Sequence, residues 1–172
     1  MSITLIGMPG CGKSTIGRML AARLGLSFID LDDYIREKEG RDTGEILEKE
    51  GEKKLKEYEE AYALSVPLKN VVLAPYGSIV FSEQAMRRLT KETIVIFIDV
   101  SSVELEKRIG NDSIRTRRII GLDEKGWDGV YSERLPLYRK YATHTVVADR
   151  LTEDAVLAEV VSLLCTTQQT TK

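Results

Sequence analysis

Apolar residues in this chain gather in short continuous runs, separated by longer stretches in which they recur at helical spacing. Strands alternating with helices are therefore predicted. Residues 3–6 form the first run, and in residues 14–24 the positions Ile16, Met19, Leu20, Ala22 and Leu24 share a helical face that Gly25 brings to a stop. A short strand over 27–30 precedes a helix that starts near Asp32 and turns Ile35 inward. Segment 45–63 sets Ile46, Leu47, Leu55, Tyr58 and Tyr62, with Leu64 just beyond, among many Glu and Lys, which predicts an exposed helix. Residues 71–74 read as a buried strand, Ser82 as the cap of a helix to Leu89, and 94–100 as the strongest parallel-strand run. Ser101 or Ser102 caps the next helix, and a helix over 129–141, a strand over 145–148 and a helix over 153–164 complete the order. The polar tail 166–172 is expected to be disordered. This alternation predicts an α/β fold of three layers, α/β/α, whose parallel sheet is covered on both faces, with ligands at the carboxyl ends of the strands.

Directly behind the first strand, residues 7–14 read Gly-Met-Pro-Gly-Cys-Gly-Lys-Ser, a complete G-x-x-x-x-G-K-[ST] phosphate loop. Glycines let such a turn wrap backbone N–H groups around a β-phosphate, Lys13 brings positive charge to the β and γ oxygens, and the Ser14 hydroxyl can ligate Mg²⁺. Gly10, Cys11, Gly12, Lys13, Ser14 and Thr15 are accordingly the expected nucleotide contacts. A glycine-rich turn that merely joins strand to helix is the plain alternative. It is set aside because the loop opens onto a helix N-terminus, whose dipole favours an anion.

With 172 residues and 42% apolar content the chain can bury one good core, so a single domain over 1–165 is expected. The net charge of −2, with both signs interspersed, leaves no electrostatic footprint for nucleic acid. No signal peptide or membrane-length apolar run is present, which predicts a cytoplasmic protein without a membrane partner. Cys11 and Cys165 are far apart and suggest neither disulfide nor zinc, and Cys11 reads as a small residue of the loop. No helix carries an uninterrupted apolar stripe that demands a partner, so a monomer is expected. Between Gly110 and Gly126 the sequence turns basic and irregular, with Asn111-Asp112 ahead of Arg115, Arg117 and Arg118. That is the composition of a mobile lid over about 111–126.

Several segments together resemble the shikimate kinase family: the phosphate loop, Phe28-Ile29-Asp30-Leu31-Asp32, the Gly51-Glu52 helix start, the Arg108 helix, the lid, and Ser132-Glu133-Arg134-Leu135-Pro136-Leu137-Tyr138. The resemblance runs from residue 3 to about residue 160. It implies a five-stranded parallel sheet of the phosphate-loop kinase type, ATP with Mg²⁺, and transfer of the γ-phosphoryl group to a hydroxyl of shikimate or a similar small carboxylated alcohol. By position, it makes Asp30 the carboxylate that holds magnesium through water and Asp32 the catalytic partner of the substrate hydroxyl. Two apart on a strand, these carboxylates would share a face; the plain alternative is a helix cap at Asp32 with a solvated neighbour. Lys13 and Arg115 join Asp32 as expected catalytic groups, Arg115 as the lid arginine over the phosphates. Arg134 is the expected carboxylate ligand, able to hold its target by two parallel bonds. Arg108 and Arg150 fall on the adenine side, where each is either a stacking partner or a surface arginine.

Departures from the family pattern concentrate in the acceptor half. Lys56 stands where the family has a carboxylate-binding arginine, which turns a bidentate fork into a point charge. Pro75-Tyr76-Gly77-Ser78 replaces a Gly-Gly-Gly turn, so only the middle glycine, Gly77, survives as a substrate-side residue, and Thr116 replaces proline after the lid arginine. With Lys56 and Arg134 both cationic, a carboxylated acceptor is expected. A different acceptor such as homoserine fits the departures, with Glu57, Glu59 or Glu60 facing its ammonium; the alternative is that these glutamates form a solvated helix face. A nucleotide-binding regulator without transferase activity is the reading from another class. His144 is expected to be structural, Trp127 either packs against substrate or anchors the next helix, and Tyr138 and Tyr141 are expected to pack in the core.

Overall fold

Every residue of β1 (Ile3–Ile6) and β3 (Val71–Ala74) is buried, although successive side chains on a strand point to opposite faces. Both faces of the sheet must therefore be covered, as the continuous apolar runs require. Three further strands, β2 (Ser27–Asp30), β4 (Ile94–Asp99) and β5 (His144–Val147), complete a sheet with order β2-β3-β1-β4-β5, all pairs parallel. The five-stranded parallel sheet that the resemblance implied is thus present. The structure is a computed structural model that describes residues 1–110 and 119–169, with side chains to residue 166.

Seven helices are described: α1 (Lys13–Leu24), α2 (Leu31–Glu39), α3 (Thr43–Ser65), α4 (Glu83–Glu92), α5 (Ser102–Ile109), α6 (Leu122–Tyr141) and α7 (Glu153–Gln169). A 3₁₀ turn, Gly77–Phe81, follows β3. Local chemistry sets their starts. Ser82 Oγ accepts from Ala85 N at 3.1 Å to cap α4, Ser101 Oγ accepts from Glu104 N at 3.3 Å to cap α5, and Gly25 ends α1 in the left-handed conformation. Packing of α1 on α7, α2 on α3 and α3 on α4 closes the layers around the buried strands.

Several boundaries differ from expectation. The exposed helix expected over 45–63 runs from Thr43 to Ser65, breaks at Gly51 (φ 83°), and buries Leu55, Glu59 and Ala63 along one stripe. The helix expected from 129 begins at Leu122 and breaks at Gly126 (φ 66°), so the last part of the expected lid is helical. Residues 111–118, with Arg115, Thr116, Arg117 and Arg118, lie outside the described residues. Helix α7 extends to Gln169 and takes in residues 166–169 of the tail expected to lack structure. Trp127 is buried and its Nε1 donates to Ser102 Oγ at 2.9 Å, which makes it an anchor between α5 and α6. Tyr138 is fully buried and stacks on Phe97, with ring centroids 5.1 Å apart. No helix among the described residues is long and apolar enough to cross a membrane.

Candidate active site

The phosphate loop divides two cavities at the carboxyl ends of the strands. Pro9 lines one of about 680 Å³, and the next residues, Gly10 to Ile16, line the other, of about 710 Å³. Reacting groups held in the two cavities would meet across this turn.

On the second cavity's side the loop leans against α5. Gly10 has φ 83°, a conformation that favours glycine, and a Cβ there would stand 2.4 Å from Ile109 Cδ1 and push that side chain aside. Gly12 is the left-handed N-cap of α1 and offers no side-chain cap, which leaves the first amides of the helix for an anion. Lys13 Nζ folds back over the turn and donates to Gly7 O at 2.9 Å and Met8 O at 3.0 Å. Cys11 is buried inside the loop, as its size suggested. Arg108 and Arg150 line the same cavity. Arg108 is held in place, with Nη2 donating to Ala148 O at 2.6 Å and Nε to Glu104 Oε1 at 3.1 Å.

Asp30 and Asp32 do not share a strand face. Strand β2 ends at Asp30, whose Oδ1 accepts from Asp32 N at 3.1 Å and caps α2, so the cap is Asp30 and Asp32 lies in the first helical turn. The other Asp30 oxygen, Oδ2, accepts from Ser14 Oγ at 2.5 Å. A hydroxyl and a carboxylate so placed suit Mg²⁺, which binds few protein oxygens and keeps its remaining positions for water and phosphate. Asp32 lines the first cavity, where its Oδ1 accepts from Thr43 Oγ1 at 2.6 Å and from the Tyr76 hydroxyl.

Arg134 lines that same cavity and is only 2% exposed. Its Nη2 donates to Ile120 O at 2.7 Å, whereas its Nε has no hydrogen-bond partner among the described residues. A buried cation with an unmade bond is costly unless an anion completes it. Gly77 explains its own survival: a Cβ there would stand 3.0 Å from Arg134 Nη1, Pro9 Cδ and the Tyr138 hydroxyl. The Tyr138 hydroxyl also donates to Gly77 O at 2.7 Å and ties α6 to the turn after β3.

Glu59 is not part of a solvated face. It is 2% exposed and takes Ser78 Oγ at 2.6 and 2.9 Å on its two oxygens. Burial pushes its carboxyl up from 4.5 to about 7, against the Ser78 bond and the charges of Arg134 and Lys56, which pull it down. Because the folded value lies above the unfolded one, this group's stabilising contribution is complete below pH 4.5. It is lost as pH rises to about 7 and is constant beyond that. Glu59→Gln should therefore gain stability relative to wild type by about 3 kcal/mol between pH 4 and pH 8. Urea unfolding at the two pH values measures this, and a pH-independent difference would show that burial leaves the Glu59 carboxyl where it titrates in the unfolded chain. Glu60, by contrast, is held by the Ser82 hydroxyl, and Glu57 is exposed in a pair with Lys54.

Lys56 departs from its expected place. It lines a separate depression of about 100 Å³ with Glu59, Glu60, Ser78 and Phe81, and its Nζ sits 5.5 Å from the centre of the Phe81 ring. The reason is helical phase: Leu55, Glu59 and Ala63 form the inward stripe, and Lys56 is a turn of about 100° away from Leu55. The first cavity therefore has one buried cation among its described residues, Arg134.

A family model described as shikimate kinase matches residues 9–165. The chain belongs to the shikimate kinase family. Among its relatives is a shikimate kinase of Clostridium botulinum (strain Alaska E43 / Type E3), 36% identical over 163 residues, which cover 94% of this chain and 96% of that protein. Another is the shikimate kinase of Paracidovorax citrulli, 34% identical over 95% of this chain and 91% of its own length. The shikimate kinase from Acinetobacter baumannii, solved in complex with shikimate, superposes with a TM-score of 0.86 at 28% identity, covering 96% of this chain and 93% of that one. A deoxyadenosine kinase from M. mycoides, at 16% identity and a TM-score of 0.61, shares the fold.

Within this shikimate kinase family site, sequence reasoning missed Thr43 and undervalued Glu59. Helical spacing from Leu55 through Glu59 to Ala63 would have found the second. Nothing in the sequence marks Thr43, whose contact with Asp32 depends on how α3 is laid across α2.

Proposed function

We propose that this chain transfers the γ-phosphoryl group of ATP to a hydroxyl of shikimate. The observation that carries this reading is Arg134, a buried guanidinium with an unpartnered Nε in the cavity that also holds Asp32. A planar cation suits the carboxylate of such an acceptor, and the acid's hydroxyl then reaches Asp32 as its proton acceptor. Across the loop, Lys13 would leave the Gly7 and Met8 carbonyls for the β and γ oxygens of ATP. Ser14 and Asp30 would hold Mg²⁺, which when bound neutralises charge on the phosphates. Arg115 keeps the role that the resemblance assigns it, closing positive charge over the γ-phosphoryl. Arg108 and Arg150 bound the space left for the base.

A second reading, the same transfer to another compact hydroxy acid such as homoserine, is favoured by Tyr76 on Asp32 and by the absence of Lys56 from the cavity's lining. A coupled ADP-release assay with Mg²⁺-ATP, run on shikimate and homoserine at matched concentrations, separates the two. Saturable turnover on shikimate is expected. Turnover on homoserine alone would transfer the proposal to the amino acid, and silence with a wider panel of acids would leave a nucleotide-binding regulator.

A further inference from the structure

Tyr76 occupies the turn after β3, where the family pattern has glycine, and it does more than narrow the acceptor cavity. Its hydroxyl donates to Asp32 Oδ1, and Thr43 Oγ1 donates to the same oxygen at 2.6 Å. One donor comes from the turn after β3 and the other from the first residue of α3. They approach from two elements and converge on a single carboxylate oxygen. The Asp32 backbone amide meanwhile donates to Asp30 Oδ1, so the residue is fixed at both ends. We propose that Tyr76, together with Thr43, is a positioning residue for Asp32: the two hydroxyls hold Oδ1 and turn Oδ2 toward the acceptor hydroxyl.

The chemistry of the pair fits this role. An aspartate carboxylate can rotate about its χ2 torsion with little resistance, and an unrestrained one presents either oxygen. Two donors on one oxygen remove that freedom before substrate arrives, so less ordering is left for the transition state. Burial, and then the Asp32 charge, push the Tyr76 phenol far above its ordinary value, which keeps it a donor across the working range. The glycine of the family pattern has no side chain with which to make this contact. Tyr76 thus adds to the acceptor side a contact that fixes the group meeting the hydroxyl.

This inference rests on the reading of Asp32 as the partner of the acceptor hydroxyl, and two measurements keep the two apart. In kinetics, Tyr76→Phe keeps the ring and removes the hydroxyl. It should lower kcat by about tenfold and leave KM for ATP unchanged. In an Asp32→Asn background, the same replacement should change the residual kcat by less than about twofold, because Tyr76 acts through Asp32. Equal losses in both backgrounds, or no loss in either, would overturn the proposal. Failure of the wild-type enzyme to turn over shikimate would instead refute the acceptor assignment, and the comparison would be made on whichever acid reacts. Proton NMR of the substrate-free enzyme supplies the reaction-independent arm. A sheltered hydroxyl resonance downfield of the amides should be present in wild type, missing from Tyr76→Phe and shifted in Asp32→Asn, and its absence from wild type would overturn the contact itself.

Discussion

Replacing Lys13 by methionine lowers kcat by about a thousandfold, the largest single effect expected from this site. The ammonium lies over the turn, 2.9 Å from Gly7 O and 3.0 Å from Met8 O, and in the proposed role it would exchange those carbonyls for phosphate oxygens. Charge develops on the transferred phosphoryl group, and a fixed cation is worth most where water is excluded and the charge is growing. Methionine keeps much of the stem and loses the charge, so the loop should keep its shape while catalysis falls. A coupled ADP-release assay measures the change, with thermal unfolding as the control for folding. A rate within about tenfold of wild type would mean that the phosphates are neutralised elsewhere.

Arg134→Lys reduces kcat/KM for the carboxylated acceptor by about a hundredfold and leaves KM for ATP unchanged. The two cavities share no lining residue among the described residues, so an effect confined to the acceptor follows from which one Arg134 lines. Lysine retains the charge that offsets Glu59 but cannot present two parallel N–H bonds, nor keep the reach of Nη2 to Ile120 O. The direction separates orientation from simple attraction. If charge alone bound the acceptor, lysine would serve almost as well, and steady-state kinetics with the acceptor varied would show near-normal kcat/KM. An equal rise in KM for ATP would mean that the substitution had disturbed the loop rather than the carboxylate.

Much of the nucleotide half was legible in the chain because its chemistry is local. Strand, glycine-rich turn, lysine and serine are consecutive, and the conformation of each is set by neighbours within a few residues. The cap at Ser82 and the stop at Gly25 were readable for the same reason, and the cap of α5 was narrowed to Ser101 or Ser102, of which the structure uses Ser101. Asp30 was placed correctly at the end of its strand, and only the shared strand face with Asp32 failed, since the strand's last residue is also the cap of the helix that carries Asp32.

The acceptor half depends on contacts between residues far apart in sequence. Glu59 meets Ser78 across 19 positions and Tyr76 meets Asp32 across 44, while the Tyr138 hydroxyl reaches Gly77 across 61. No local propensity encodes such distances; they arise when helices α3 and α6 are packed onto the turn after β3. By itself, then, the sequence determined the phosphate loop, the order of strands and helices, and the membership in a phosphate-transferring family, all carried by short-range pattern. Only the tertiary structure decided that Lys56 stands outside the lining of the cavity that holds Asp32 and Arg134, that Glu59 is buried beside Arg134, and that Tyr76 takes hold of Asp32. Helical phase and packing choose which side chain of a charged helix faces inward, and that choice is made by the neighbours it meets in the fold.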